Sequence, residues 1–203
     1  MTAIMIDPSK VRDLAPHALD VFGRLRVLPA EFWAGTTREE RAVFGVRHGL
    51  YSFPTVELVD RLRELIGGRT AIEIGAGHGV LAHALGIPAT DSRQQEEPKY
   101  ADVYRRLGQA TVPYGPNIEW MGARAAIRKH RPQAVIGCWV THLYDPARHE
   151  AGGNEVGVDE DDVLANCETY IVVGNERVHA GKKIWDRPHT IDYPEFVVSR
   201  ASN

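Results

Sequence analysis

Residues 71–80 read AIEIGAGHGV, a short apolar run that stops at a carboxylate, Glu73, and opens into glycines at positions 75, 77 and 79. Glycine takes up backbone conformations that side chains resist. A helix start leaves bare N–H groups facing whatever lies in front of it. The stretch therefore predicts a buried strand, a tight turn and a helix N-terminus, with the turn addressed to a ligand. A chain built around such a unit has few architectures open to it.

The flanking pattern extends the unit. Predicted strands TAIEI, IPATD, QATVPY (109–114), QAVIGCWV and TYIVVG alternate with helical stretches at 78–86, 94–107, 121–130 and 159–167. The run QAVIGCWV is apolar throughout, as a central parallel strand is. RVHAGKKIW and PEFVVSR read as a closing pair. Alternating strands and helices predict an α/β, doubly wound, mostly parallel sheet of about seven strands. Residues 1–68 read as an N-terminal helical segment packed on the core, and residues 69–203 as the main domain. Thr36 with Glu39, or Thr37 with Glu40, has capping-box spacing, and Gly49 is a natural stop. Leu58, Val59, Leu62, Leu65 and Ile66 form one apolar face, closed by Gly67 and Gly68.

Composition narrows the partners. A chain of 203 residues, 43% hydrophobic and 25% charged, builds one ordinary globular core. A formal net charge of −3 gives no basic excess for a phosphate backbone, so there is no clear nucleic-acid signal. No stretch approaches the ~18 apolar residues of a membrane span, and MTAIMIDPSK lacks the apolar run of a signal peptide. Cys138 and Cys167 have no metal-ligand or redox spacing. The expectation is a cytoplasmic protein whose partner is a small molecule, with a homodimer left open.

Two cofactor classes compete for the glycine turn. Gly77-x-Gly79-x-x-Ala82 satisfies the loose dinucleotide fingerprint, whereas from Gly75 the match fails at Val80. Glu73 discriminates. A carboxylate beside a pyrophosphate is repulsive by ~1–4 kcal/mol in a half-buried site. S-adenosylmethionine carries no phosphate, and its ammonium can meet an acid at the strand end.

The motif E-x-G-x-G-x-G at Glu73, Gly75, Gly77 and Gly79 resembles the first motif of the class I S-adenosylmethionine-dependent methyltransferases, and the order of elements is similar over roughly residues 50 to 200. The resemblance implies a Rossmann-like domain in which Asp91, at the end of the second strand, accepts the ribose hydroxyls. It also implies that Asn117, Ile118 and Glu119 hold the adenine.

In open α/β sheets ligands sit beyond the carboxyl ends of strands where the order reverses. In the methyltransferase order this point lies between the first and fourth strands. Thr141, His142, Tyr144 and Asp145 would emerge there, with His142 best suited as general base and Tyr144 and Asp145 near enough to orient it. The glycine-rich stretch 151–157 reads as a mobile lid or simply as a long loop. Tyr51, Ser52 and Thr55 are further candidates for the methionine end of the donor, and Arg47 and His48 for an anionic substrate. The N/D-P-P-Y/F signature of nucleobase amine methylators is missing, and Cys138 lacks the preceding proline of the cytosine-carbon methylators. The expected function is methyl transfer from S-adenosylmethionine to a small molecule at oxygen or nitrogen. The alternatives are a non-catalytic binding or assembly protein of the same fold and, disfavoured by Glu73, an NAD-linked oxidoreductase.

Overall fold

A computed structural model describes residues 7–202. The first part of the chain carries α1 (Ala15–Ala18), α2 (Ala30–Ala34), α3 (Arg38–His48), β1 (Ser52–Phe53) and α4 (Val56–Ile66). The capping box forms between Thr37 and Glu40, and α3 stops at Gly49 with φ +64°. Thr55 caps α4, and Gly67 ends it in the same left-handed conformation. Leu58, Val59, Leu62 and Ile66 are buried as the periodicity requires, whereas Leu65 is 39% exposed at the margin of that face.

The second part runs β2 (Ala71–Ile74), α5 (Val80–Leu85), β3 (Ala89–Asp91), α6 (Pro98–Arg106), β4 (Ile118–Trp120), α7 (Ala123–His130), β5 (Ala134–Cys138), α8 (Glu160–Ala165), β6 (Thr169–Val173), α9 (Glu176–His179) and β7 (Val198–Ser199). Five strands form one sheet in the order β4-β3-β2-β5-β6, and every neighbouring pair is parallel. Helices cover both faces. Ala71, Ala134 and Ile136 pack with α4 and α5, while Ile72, Ile74 and Val135 pack with α7 and α8. Burial on both faces is why the strands are apolar without alternation. The architecture is α/β and fits a doubly wound sheet.

Three expectations are corrected. The parallel sheet has five strands rather than about seven. QATVPY is no strand: Ala110 donates to the Val46 carbonyl and Val112 to Gln95 Oε1, so the segment is anchored to α3 and to the turn before α6. Pro113 and Pro116 carry no N–H for a ladder, and the third strand of the parallel set begins only at Ile118. The closing pair does not form either. Asn175 caps α9 within the first stretch, and β7 pairs antiparallel with β1 instead, Ser52 opposite Ser199.

That ribbon ties the first part of the chain to its far end. Around it lies a second core of Leu14, Trp33, Phe44, Leu50, Phe53 and Val198, with the Trp33 and Phe53 rings stacked 4.4 Å apart. No helix among the described residues is long and apolar enough to cross a membrane.

Candidate functional site

The chain reverses its direction across the sheet between β2 and β5, and a cavity of about 210 Å³ opens beyond the carboxyl ends of these strands. Its floor is the turn after β2. Gly75, Gly77 and Gly79 all have positive φ, at +59°, +56° and +73°. The three glycines serve different ends. A β-carbon on Gly75 would come within 2.7 Å of the Val140 side chain, and one on Gly79 within 2.1 Å of Ile118 Cδ1. Gly75 and Gly77 line the cavity; Gly79 lies outside the lining and makes room for Ile118.

Glu73 is 2% exposed and lines the cavity, its Oε2 accepting the Ala82 amide of α5 at 2.8 Å. Burial, reinforced by the nearby Asp91 charge, pushes its pKa up to about 8 against the pull of the Ala82 amide. Asp91 ends β3 and lines the same cavity. Its Oδ2 accepts Gly77 N–H at 2.9 Å and its Oδ1 accepts Arg93 N–H at 2.7 Å. Burial raises its pKa more than these bonds lower it. Each oxygen keeps a further acceptor position.

The walls come from segments that no motif marks. His78 stands half-buried in the turn itself. Burial lowers its pKa to about 4, so it is neutral, with Nδ1 accepting Val80 N–H and the ring bonded to the Ser52 backbone. Tyr51 and Ser52 line one side. The Tyr51 hydroxyl receives hydrogen bonds from Gln95 Nε2 at 3.3 Å and Gln109 Nε2 at 3.0 Å and donates to the Tyr104 hydroxyl at 3.1 Å. Gln94, Gln95, Tyr104 and Tyr114 complete this wall. At the end of β5, Trp139 holds φ +59°, an unusual conformation for a bulky residue, and Trp139, Val140 and Thr141 line the opposite wall. The chain then loops out and returns. Asn154, Val156, Gly157 and Val158 line the cavity, and the Glu155 carboxylate between them takes Lys99 Nζ at 2.6 Å and the Tyr100 hydroxyl at 3.0 Å, both from α6.

Several sequence candidates lie elsewhere. His142, Tyr144 and Asp145 line a second cavity, also about 210 Å³, which shares only Val158 with the first. Burial, with Lys182 nearby, lowers the His142 pKa, and its Nε2 is buried without a partner. Neither neighbour orients it: the Tyr144 hydroxyl meets His149 Nδ1 at 2.9 Å, and Asp145 accepts the Ala147 amide. Below them Lys182, fully buried, donates to Glu160 Oε1 at 2.7 Å, and Tyr170 donates to the same oxygen at 2.9 Å. Asn117, Ile118 and Glu119 do not line the first cavity. Ile118 faces Gly79, and Glu119 points to Lys129 and His130. Thr55 caps α4 and donates to the Phe196 carbonyl. Arg47 donates to the Pro8 carbonyl, and His48 packs against Phe44. Among the described residues no cluster of His, Cys, Asp or Glu is arranged for a metal ion.

The acidic side chains lining the first cavity are Glu73 and Asp91, beside the neutral His78, and no lysine or arginine lines it. Such a wall has hydrogen-bond acceptors for an ammonium and a diol, and no cation to meet a phosphate. Comparison with family models, curated proteins and solved structures finds no match for this chain.

Proposed function

We propose that the chain is a class I, Rossmann-like methyltransferase that uses S-adenosylmethionine and acts on a small molecule at oxygen or nitrogen. One observation carries the reading. Glu73 and Asp91, at the ends of adjacent parallel strands, line a single cavity at the point where strand order reverses, and no cationic side chain shares it. The donor supplies an electrophilic methyl group on a sulfonium. Glu73 holds the ammonium of the donor and Asp91 its ribose hydroxyls, each through acceptor positions left free by the backbone amides. The 154–158 return and α6 shield the methyl group from water. Positioning at ~3–3.5 Å is the main demand of such a transfer, and Trp139, Val140 and Thr141 form the wall on the acceptor side. His142 has no part in this reading, since it opens on the neighbouring cavity.

Calorimetry with S-adenosylmethionine, S-adenosylhomocysteine and NAD side by side tests the reading. The first two bind and NAD does not. Glu73→Gln and Asp91→Asn each weaken donor binding about tenfold or more, the loss of a charge-assisted hydrogen bond being worth ~1.5–3 kcal/mol. Micromolar NAD affinity, or donor affinity unchanged in both variants, overturns it. Donor binding with no turnover of any amine or alcohol would favour the non-catalytic alternative.

A further inference from the structure

We propose that the acceptor taken up in the first cavity is a small organic amine, bound as its ammonium. The proposal rests on the methyl-transfer reading and narrows it. The aromatic walls are the first ground: Tyr51, Tyr104, Tyr114 and Trp139 all line the cavity. Aromatic faces attract organic cations. Two of these rings are already engaged, Tyr51 by the Arg200 guanidinium at 3.9 Å and Tyr114 by that of Arg93 at 5.2 Å, and neither arginine lines the cavity. Among the described residues no cation stands over Tyr104 or Trp139, but the Trp139 ring already meets that of His179 at 5.1 Å, so the Tyr104 face is the one that remains for a ligand.

An unpaired acceptor is the second ground. Gln94 lines the cavity, and its Oε1 is buried without a hydrogen-bond partner. An ammonium brings N–H donors to such an oxygen, whereas a carboxylate or phosphate leaves it unpaired. The third ground is charge. An anionic acceptor would enter a space that holds Asp91 and Glu73 with no lysine or arginine in the lining. The Tyr51, Gln95, Gln109 and Tyr104 network is itself uncharged, and the Arg200 guanidinium over Tyr51 stands outside the lining. For transfer, the bound ammonium gives one proton to water. The freed nitrogen lone pair then forms the N–CH₃ bond as the S–CH₃ bond of the sulfonium breaks, and that electron pair stays on the sulfur of a neutral thioether.

The test is calorimetry on the protein saturated with S-adenosylhomocysteine, using three probes that share one phenol ring: tyramine, tyrosol and 4-hydroxyphenylacetate. Tyramine binds about tenfold more tightly than tyrosol, and the carboxylate binds weakest. Tyr104→Leu lowers tyramine affinity about tenfold, and Tyr104→Phe keeps it within about twofold. Binding of the carboxylate as tight as that of tyramine, no tyramine binding at millimolar concentration, or a Tyr104→Phe loss equal to that of Tyr104→Leu overturns the proposal. If S-adenosylhomocysteine itself fails to bind, the methyl-transfer reading falls; if it binds and tyramine does not, only the amine proposal falls.

Discussion

Glu73 Oε2 accepts the backbone amide of Ala82 at 2.8 Å, so the acid at the end of β2 also fastens the first turn of α5. One side chain thereby carries two demands. As a buried group it suits the neutral form, and burial holds its pKa near 8 against the pull of that amide. As a ligand for an ammonium it must be charged.

The conflict sets a pH dependence of stability. The pKa is raised from 4.5 unfolded to about 8 folded. Between these values the folded chain holds a proton that the unfolded chain has lost. Stability therefore falls as pH rises from about 4.5 to about 8 and is flat above that window. Glu73→Gln keeps an oxygen for the Ala82 amide and removes the titration. It should be more stable than wild type by at least about 1 kcal/mol at pH 8, with a flatter profile across the window. Urea unfolding of both proteins at pH 5, 6.5 and 8 decides it, and parallel profiles would show that Glu73 is already ionised in the folded state.

Gly79 should be intolerant of substitution for a reason unrelated to ligands. A β-carbon there meets Ile118 Cδ1, and the backbone stands at φ +73°. Gly79→Ala should cost about 2–3 kcal/mol. Ile118→Val removes the atom in the way, so the double variant should lose less than the sum of the two single losses. Strict additivity in thermal unfolding would leave the backbone conformation as the whole cause.

The buried Lys182–Glu160 pair should depend on both members. Lys182→Met leaves Glu160 without its counter-charge beside Tyr170 and should cost about 3–5 kcal/mol. Adding Glu160→Gln to that variant should restore much of the loss. Failure of the second change to restore stability would mean that packing of the lysine stem, not charge, carries the effect.

Glu155 should govern how quickly a ligand exchanges. Its bonds to Lys99 and Tyr100 join the two walls of the cavity in full view of solvent, where ion pairs are weak and screened by salt. Glu155→Ala should raise the dissociation rate of S-adenosylhomocysteine about two- to fivefold, and high salt should do the same to wild type but not to the variant. Stopped-flow displacement that finds equal rates in both proteins would remove the latch role.

Much of the fold could be read where a local rule decides it. Thr37 with Glu40, and Gly49, bracket α3 because capping is settled within a few residues, and β5 is evident because burial on both faces leaves no polar position. QATVPY misleads because its β-branched residues and alternation outweigh the prolines, whereas the contacts that hold it extended are with Val46 and Gln95, distant in sequence. The site divides likewise. Glu73, Gly75, Gly77 and Asp91 follow from one strand–turn–helix unit and its neighbouring strand. His78 belongs to the same turn, between Gly77 and Gly79, whereas Gln94, Tyr104, Tyr114 and Asn154 join them only through tertiary packing. Position along the chain past β5 puts His142 at the switch point, but the left-handed turn at Trp139 and the pairing of His142 with Val158 carry it to the neighbouring cavity.

The β1–β7 ribbon has a consequence for how the protein is made. Ser52 is at once a residue of the cavity wall and the partner of Ser199. During synthesis the parallel sheet can assemble once β6 has emerged, yet the wall that carries Ser52 has no partner strand until Ser199 follows. Pairing so remote in sequence is slow to find. A nascent chain therefore acquires its framework before its ability to hold a ligand, and a translation arrest in the last stretch before Ser199 would yield a folded sheet beside an unfinished pocket.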